Sequence, residues 1–569
     1  MLFVASILIF FLLITRLVWI QFVQGDELSE KASSYRMRKI PVEAERGSIY
    51  DRNMNELVSS ISADSIYIIP SRIKDKEKTA ELLASLLDMD EKALLDKMNK
   101  NTYFKWIKRK VDWDTAKKIR ELQIDGVGFV EESRRFYRQG TLAAHLLGFV
   151  GIDNQGLTGI EKTFDEELKG VPGYIVIEHD AVGREIPQAL HRYVAPRQGY
   201  NLILTLDKTV QYFVERELDR IVEEFDPTSA VIIVMNPKTG EIIALGVRPT
   251  FNPNMWQDYE SCIWDRNMAI WYNYEPGSTF KIITAAIALE EKKVSMEDYF
   301  YCSGNIKISD RRIRCWECEG HGSQSFKEVV KNSCNPGFIE IGLRLGIEQF
   351  YSYLRNFGFG DITGIELPGE AKGIVINEKK ATNLNLAIMS IGHSIAVTPI
   401  QLITAVSAVI NGGYLVKPYI VKEIRDENNK VIKENKPQKI RQVISESTSL
   451  MMRKLLENVV LEGTGKNAYV EGYSVGGKTG TAQVVDEDGG YAHGKYVSSF
   501  VGFAPVDDPC IAVLVMVQEP KGDIYYGSEV AAPVFARLAR DILRYMGIPK
   551  QIDIESSKEH DILNETDVN

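Results

Sequence analysis

The chain has no excess of basic charge. Its 68 Lys and Arg are outnumbered by 78 Asp and Glu, for a net charge of −10, so nucleic acid is not an expected partner. Nor is it poor in apolar residues: 44% are hydrophobic and 26% charged, which is ordinary globular material and sets disorder aside. There is no internal repeat. Beyond the N-terminus no apolar run is long enough to span a bilayer. The length, 569 residues, allows three or four domains.

The exception is residues 1–23. "MLFVASILIFFLLIT" has no charge, and 11 of its 15 residues are Leu, Ile, Phe or Val. Each contributes roughly −0.3 to −0.6 kcal/mol toward insertion, which outweighs roughly +3 kcal/mol for Arg16, placed near an end where it can snorkel. As a helix the segment spans about 34 Å, against about 30 Å of hydrocarbon. No small-x-small cleavage site follows and Trp19 suits an interface, so an uncleaved anchor is expected. No Lys or Arg precedes it, so charge alone does not orient it.

Residues 25–200 mix strands and helices. "SIYIIP" (65–70) reads as a strand, and "TAELLASLL" places Leu82, Leu83, Leu86 and Leu87 on one helical face. Residues 71–122 read as a charged, mostly helical, solvated module. From "NLILTLD" (201–207) a second region runs to about residue 547. "SAVIIVMNPKTGEIIALG" and "SFVGFAPVDDPCIAVLVMVQEP" read as hairpins and "YSVGGKTGTAQVV" as a strand, with helices between and a last helix in "AAPVFARLARDILRYMG". Strands from both ends with helices between them give an α+β domain. Residues 548–569 form an acidic tail expected to be disordered.

Chemistry concentrates in three places. In "YEPGSTFKIITAAIALEE" (274–291), Pro276-Gly277 turns the chain into a helix, with Ser278 at its start and Lys281 on the same face. The apolar residues around Lys281 predict loss of hydration and a lowered pKa, which suits a base. Ser71-x-x-Lys74 has the same spacing among charged residues, where its lysine is expected to be merely solvated. In "KEVVKNSCNPGF" the helix is expected to end at the Asn-Pro step, leaving Ser333 to relay a proton and Asn335 to bond Lys281 and a substrate carbonyl. In "GGKTGTA" (476–482), Lys478-Thr479-Gly480 arises by chance in about one chain in ten of this length. Its glycines let a peptide backbone lie close. Lys478, Thr479 and Thr481 suit a carboxylate, and the amides of Ser278 and Thr481 suit an oxyanion.

The order and spacing of Ser278-x-x-Lys281, Ser333-x-Asn335 and Lys478-Thr479-Gly480 resemble those of penicillin-recognising serine enzymes. Over residues 1 to about 545 the chain resembles a class B penicillin-binding protein, and "GTGKNAYVEGYSVGGKTGTAQVV" most resembles the elongation and sporulation branch, that of stage V sporulation protein D. The resemblance implies a single transmembrane helix (1–23), an elongated α/β pedestal of the dimerisation type (25–200) and a transpeptidase domain with an antiparallel sheet flanked by helices (201–547). "RGSIYDRNMNELV", "RRFYRQGTLAAHLLGFVG" and "GLTGIEKTFDEELKG" are similar to the family's non-catalytic boxes, expected to brace the link. Met54 stands where the pattern has Gly, and Arg138 where it has Pro. In "SIGHSIAVTPIQ", His393-Ser394 departs from a common Gln-Gly; His393 either lines the cleft or has an ordinary structural role.

Cys302, Cys315, Cys318 and His321 are spaced C-x12-C-x2-C-x2-H. Four soft ligands within 20 residues fit a closed structural zinc site, with Asp310 as a substitute ligand; a disulfide or free thiols are the competing readings. A closed site has no open position, so no cofactor is expected in catalysis. Cys262, Cys334 and Cys510 read as isolated.

The expected function is a D-Ala-D-Ala transpeptidase in wall elongation or spore cortex synthesis. Ser278 would be acylated by the stem peptide or a β-lactam, and the acyl group passed to a second stem peptide's amine. The catalytic domain would lie on the extracellular face of the cell membrane. No glycosyltransferase domain is present, so glycan polymerisation would need a partner, and the resemblance implies that it is a SEDS-type glycosyltransferase. A membrane-anchored serine β-lactamase and a non-catalytic β-lactam sensor or scaffold are the alternatives. The first would need a deacylating carboxylate that is not evident; the second would not need Lys281 and Asn335.

Overall fold

The computed structural model describes residues 2–28, 31, 37–100, 102, 104–178, 192–486 and 490–550; the expected acidic tail lies, from residue 551, outside them. The chain divides into two compact units, one of Met1–Gly47, Ser60–Arg134 and Glu166–Tyr200, the other of Ser48–Ser59, Arg135–Asp165 and Asn201–Asn569.

In the first unit, Leu2–Phe22 is one helix. Its span Phe3–Phe22 has mean hydropathy 2.5 and no buried part, and among the described residues no other helix is long and apolar enough to cross a membrane. The charged module contains helices Lys76–Leu87, Glu91–Asn99 and Trp113–Glu121, with a strand, Lys105–Val111, among them. Some of its charge has a local purpose. Asp75, Asp90 and Asp112 each precede a helix and accept an amide of its first turn. The buried face of the first of these helices is Ala80, Leu83, Ala84 and Leu87, not the four leucines expected. Leu82 is exposed and Leu86 half-buried, because the i, i+3, i+4, i+7 row that meets Ile66, Ile68 and Ile107 passes through the alanines. The "SIYIIP" strand is the end of a longer one, Glu56–Ile68, stopped where Pro70 opens a 3₁₀ turn.

The second unit reaches further back in sequence than residue 201. Ile49–Tyr50 pairs in parallel with Asn201–Leu204. Asp51, fully buried, accepts the amides of Asn53 and Asn55 at 2.8 Å and that of Lys208 at 3.1 Å. Arg135 and Glu161, both buried, meet at 2.6 Å, and the Tyr137 hydroxyl joins the same carboxylate at 3.4 Å. Stretches expected in the pedestal therefore belong, by contact, to the second unit, where buried polar pairs hold them. Both departures from the family pattern are accommodated. Met54 takes the left-handed conformation at φ 64° that the expected Gly adopts freely. The Arg138 amide donates to Leu57 O at 3.1 Å, a bond a proline could not make.

The core is a five-stranded antiparallel sheet in the order Ile242–Arg248, Ser229–Met235, Ile511–Gln518, Tyr491–Ala504, Gly476–Val485, so strands from both ends of the unit meet as expected. Ser229–Met235, Ile242–Arg248 and Ile511–Gln518 are buried at every position, which requires cover on both faces. Helices Lys208–Phe225 and Ala532–Tyr545 pack on one face through Val214, Leu218, Phe535 and Leu538. Pro399–Ile410, entirely buried and apolar enough to need it, packs against the sheet and against Lys281–Glu290. Gly476–Val485 ends the sheet order, leaving one backbone edge outside the ladder.

Candidate active site

The turn before Ser278 is built by close backbone approach. The Gly277 amide donates to Gly392 O at 2.9 Å, and a Cβ on Gly392 would lie 2.0 Å from Gly277 O, so only glycine fits there. A 3₁₀ turn, Gly277–Phe280, leads into the helix Lys281–Glu290, whose residues are buried up to Leu289. Ser278 is half-buried. Lys281 is 1% exposed, and its Nζ donates to Ser333 O at 2.8 Å, Ser333 Oγ at 3.2 Å and Asn335 Oδ1 at 2.6 Å. Burial pulls its pKa down to about 8. The expected lysine environment is therefore present, and Ser333 and Asn335 converge on it.

Their local structure differs from the expected helix end. The preceding helix stops at Lys331, and Asn335-Pro336 opens the next, Asn335–Leu345, because proline is tolerated in a first turn. Ser333, between the helices, has φ 53°, a left-handed conformation that a side chain disfavours and that its surroundings must enforce.

The strand Gly476–Val485 lies against the Ser278 turn. A Cβ on Gly480 would come within 2.9 Å of Thr279 Cγ2 and 3.0 Å of Pro276 O, so glycine sets the approach. Pleating puts Lys478 and Gly480 on one side and Thr479 and Thr481 on the other. Lys478, 1% exposed, is held well below the usual lysine pKa by burial and by the charge of Lys281. The hydroxyl of Thr479 donates to that of Thr464 at 3.4 Å, and Thr481 Oγ1 accepts the Gly527 amide at 3.0 Å. Two lysines thus share one buried, electropositive cleft floor, and the threonines project from the opposite side of an edge strand.

One participant was missed by sequence reasoning. Glu275, three residues before Ser278, accepts His393 Nδ1 at 2.7 Å, the Ser394 amide at 2.7 Å and the Tyr491 hydroxyl at 3.0 Å. His393 thus flanks the nucleophile turn, and Ser394 holds φ 56° where a glycine would be relaxed. The available signal was an acid immediately ahead of Pro-Gly-Ser.

The cysteine cluster forms with a different membership. Ligand atoms of Cys302, Cys315, His321 and Cys334 all lie within 4.8 Å of one another. Cys318 is exposed and is not among them, and neither is Asp310 in its exposed turn. The turn after Cys315 lays the Cys318 backbone over Gly304, where a Cβ would be 2.1 Å from Cys318 O. Cys334, read as isolated, enters because it lies between Ser333 and Asn335 in the turn facing Cys315. Three sulfurs and one imidazole suit tetrahedral zinc, whose Zn–S bonds of about 2.3 Å imply S···S edges of about 3.8 Å. His321 Nε2 is buried with no hydrogen-bond partner among the described residues, and Nδ1 is 3.7 Å from Cys315 Sγ. All six cysteines are free in this structure.

A serine at a helix start, a buried lysine bonded to Ser-x-Asn, and a Lys-Thr-Gly edge strand beside them define a class, the penicillin-recognising serine acyltransferases. Comparison narrows it. Residues 230–540 match the family model of the penicillin binding protein transpeptidase domain, and residues 41–204 that of the penicillin-binding protein dimerisation domain. The chain belongs to the class B penicillin-binding proteins. It is 44% identical over 556 residues to Stage V sporulation protein D of Bacillus subtilis (strain 168), covering 97% of this chain and 86% of that protein. To peptidoglycan D,D-transpeptidase FtsI of Escherichia coli (strain K12) it is 29% identical over 561 residues, covering 97% and 92%. It superposes with TM-score 0.73 on the crystal structure of penicillin binding protein 2X from Streptococcus thermophilus, 27% identical, covering 90% of this chain and 80% of that one.

Proposed function

We propose that this protein is a peptidoglycan D,D-transpeptidase of wall elongation or spore cortex synthesis, acting through a Ser278 acyl-enzyme. The observation that carries the reading is the Lys281 ammonium, buried and bonded to both Ser333 and Asn335 within 3.2 Å, one turn from Ser278. Lys281 as the neutral amine takes the Ser278 proton while Oγ attacks the penultimate D-Ala carbonyl. The amides of Ser278 and Thr481 receive the oxyanion, a stabilisation of about 3 to 4 kcal/mol per donor. Ser333 passes a proton to the leaving D-Ala amine. The amine of a second stem peptide then attacks the acyl-enzyme and closes the cross-link. Lys478, Thr479, Gly480 and Thr481 hold the substrate's terminal carboxylate and backbone along the edge strand. β-lactams acylate the same serine. A deacylating carboxylate, needed by a β-lactamase, is not supplied by Glu275, which already accepts three hydrogen bonds.

The apolar helix supports a single-pass membrane anchor. The substrate lies outside the membrane, which places the catalytic domain on the extracellular face, and a SEDS-type glycosyltransferase supplies the glycan chains. Zinc, held by Cys302, Cys315, His321 and Cys334, is a structural brace of the Ser333 turn. What supports it is the donor set and the orphaned His321 nitrogen.

Mass spectrometry with peptide mapping after penicillin treatment tests the first reading. The adduct is expected on Ser278, with stem-peptide turnover lost in Ser278→Ala; attachment elsewhere would sink it. Elemental analysis tests the second: about one equivalent of zinc is expected, and less than about a tenth overturns it.

A further inference from the structure

Beside the cleft a small ribbon carries charge of one sign on a chain of the other. Strands Asn305–Ile308 and Arg311–Arg314 pair antiparallel, Asn305 with Arg314, Ile306 with Ile313, Lys307 with Arg312 and Ile308 with Arg311. Residues opposite one another share a face, so Lys307, Arg312 and Arg314 stand together on one side and the isoleucines on the other. The ribbon lies against helices Asn335–Leu345 and Asn383–Met389. Lys307, Arg311, Arg312 and Arg314 are all exposed, and none forms an ion pair with a carboxylate of the described residues. Lys307 and Arg312, directly opposed, repel, so this face of the ribbon carries an electrostatic penalty.

The ribbon is joined to the catalytic groups by a short chain of bonds. Asn335 Nδ2 donates to Arg314 O at 3.0 Å, while its Oδ1 accepts Lys281 Nζ at 2.6 Å. The cationic face thus begins at the residue that, in the transpeptidase reading, bonds the donor peptide beside the bond to be broken. That peptide's terminal carboxylate has its own partners in Lys478, Thr479 and Thr481. In that reading Lys281, Ser333, Asn335 and the Lys478 strand are all engaged elsewhere and leave the donor stem peptide's other carboxylates without an assigned partner.

We propose that the Lys307, Arg312 and Arg314 face is a docking surface for the free, non-terminal carboxylates of the donor stem peptide. It makes the enzyme select carboxylate-bearing over amidated stem peptides. The inference rests on the transpeptidase reading, and its chemistry is charge complementarity between an unpaired cationic face and an anionic peptide.

The test compares two donor peptides, one with free side carboxylates and one amidated at them, both keeping the terminal D-Ala carboxylate, on the full chain in detergent. The wild-type protein is expected to prefer the free-carboxylate peptide by about tenfold in kcat/KM, the gap closing as salt rises. K307Q/R312Q is expected to lose the preference through KM, with acylation by benzylpenicillin changed by less than about twofold. R311Q, on the other face, is expected to keep it. Equal use of the two peptides by the wild type, or a preference that survives in K307Q/R312Q, overturns the proposal. So does competition by a glycerol-phosphate polymer where amidation has no effect, which assigns the surface to a phosphate polyanion. If penicillin fails to acylate the wild-type protein, the transpeptidase reading falls first and this one with it.

Discussion

Two Ser-x-x-Lys turns occur in this chain, and both follow a proline. Ser71 lies in the 3₁₀ turn Pro70–Arg72 of the first unit, and Ser278 in the 3₁₀ turn Gly277–Phe280 of the second. The first turn ends in extended backbone at Ile73 (ψ 116°), whereas the second runs on into the helix that Lys281 opens, and the chemistry differs as well. The Lys74 side chain is 88% exposed and meets Asp125 at 3.3 Å, a solvated surface pair. Lys281 is 1% exposed, has a pKa near 8, and donates only to neutral oxygens of Ser333 and Asn335. Where the turn runs on as a helix, a spacing of three brings a hydroxyl and an amine to one side of it. Removing water from the amine, without giving it a carboxylate, is what lowers its pKa into the range of a base.

The comparison breaks most sharply by substitution of the buried lysine. Lys281→Met is expected to lower the second-order rate of penicillin acylation by roughly three orders of magnitude or more, read by stopped-flow with a fluorescent penicillin. A loss of less than tenfold would mean that the base is another group. Gly480→Ala comes next. Its Cβ would meet Ser499 Oγ at 2.5 Å and Thr279 Cγ2 at 2.9 Å, pushing strand and nucleophile turn apart. Acylation is expected to fall about 100-fold with a lower melting temperature, and an unchanged rate would show that the approach is not needed.

A smaller, sharper effect is the pH profile. A base with pKa about 8 is protonated below that value, so the acylation rate should rise about tenfold from pH 6 to 7, rise further by several-fold to pH 8, and level off above it. A profile still climbing through pH 10 would place Lys281 with ordinary lysines such as Lys74. The same shift sets a sign for stability. Because the folded pKa lies below the ordinary lysine value of 10.5, burying Lys281 costs stability, increasingly as pH falls from 10.5 to about 8 and constantly below that. The smallest expected effect is that of Lys74→Met: no change in acylation, and a stability change within about 1 kcal/mol by urea unfolding.

Much of the site was legible in order. The Pro-Gly turn, the Lys-Thr-Gly strand and the apolar helix around Lys281 each carry their local structure in their own residues. The sheet strands were legible for the same reason, and so was the N-terminal apolar helix, whose length and apolarity are local properties. The cysteine site was legible only in part. C-x2-C spacing pointed to Cys318, yet Cys334 takes the fourth place from 13 residues beyond His321. Leu82 misled in the same way, since which leucines are buried depends on the row that meets Ile66 and Ile107.

By itself, then, the order of residues determined the elements and the reactive groups: turns, strand periods, an apolar N-terminal helix, two lysines, two hydroxyls and an amide. Only the tertiary structure decided which of two equal motifs loses its water, which cysteines share one point in space, and that residues 48–59 and 135–165 pack with a unit beginning 36 residues beyond the second of them. The physical reason is that conformation follows nearby atoms along the chain, whereas pKa, coordination and burial follow neighbours in space, brought together here by Lys281, Ser333, Asn335 and Lys478 from distant parts of the chain.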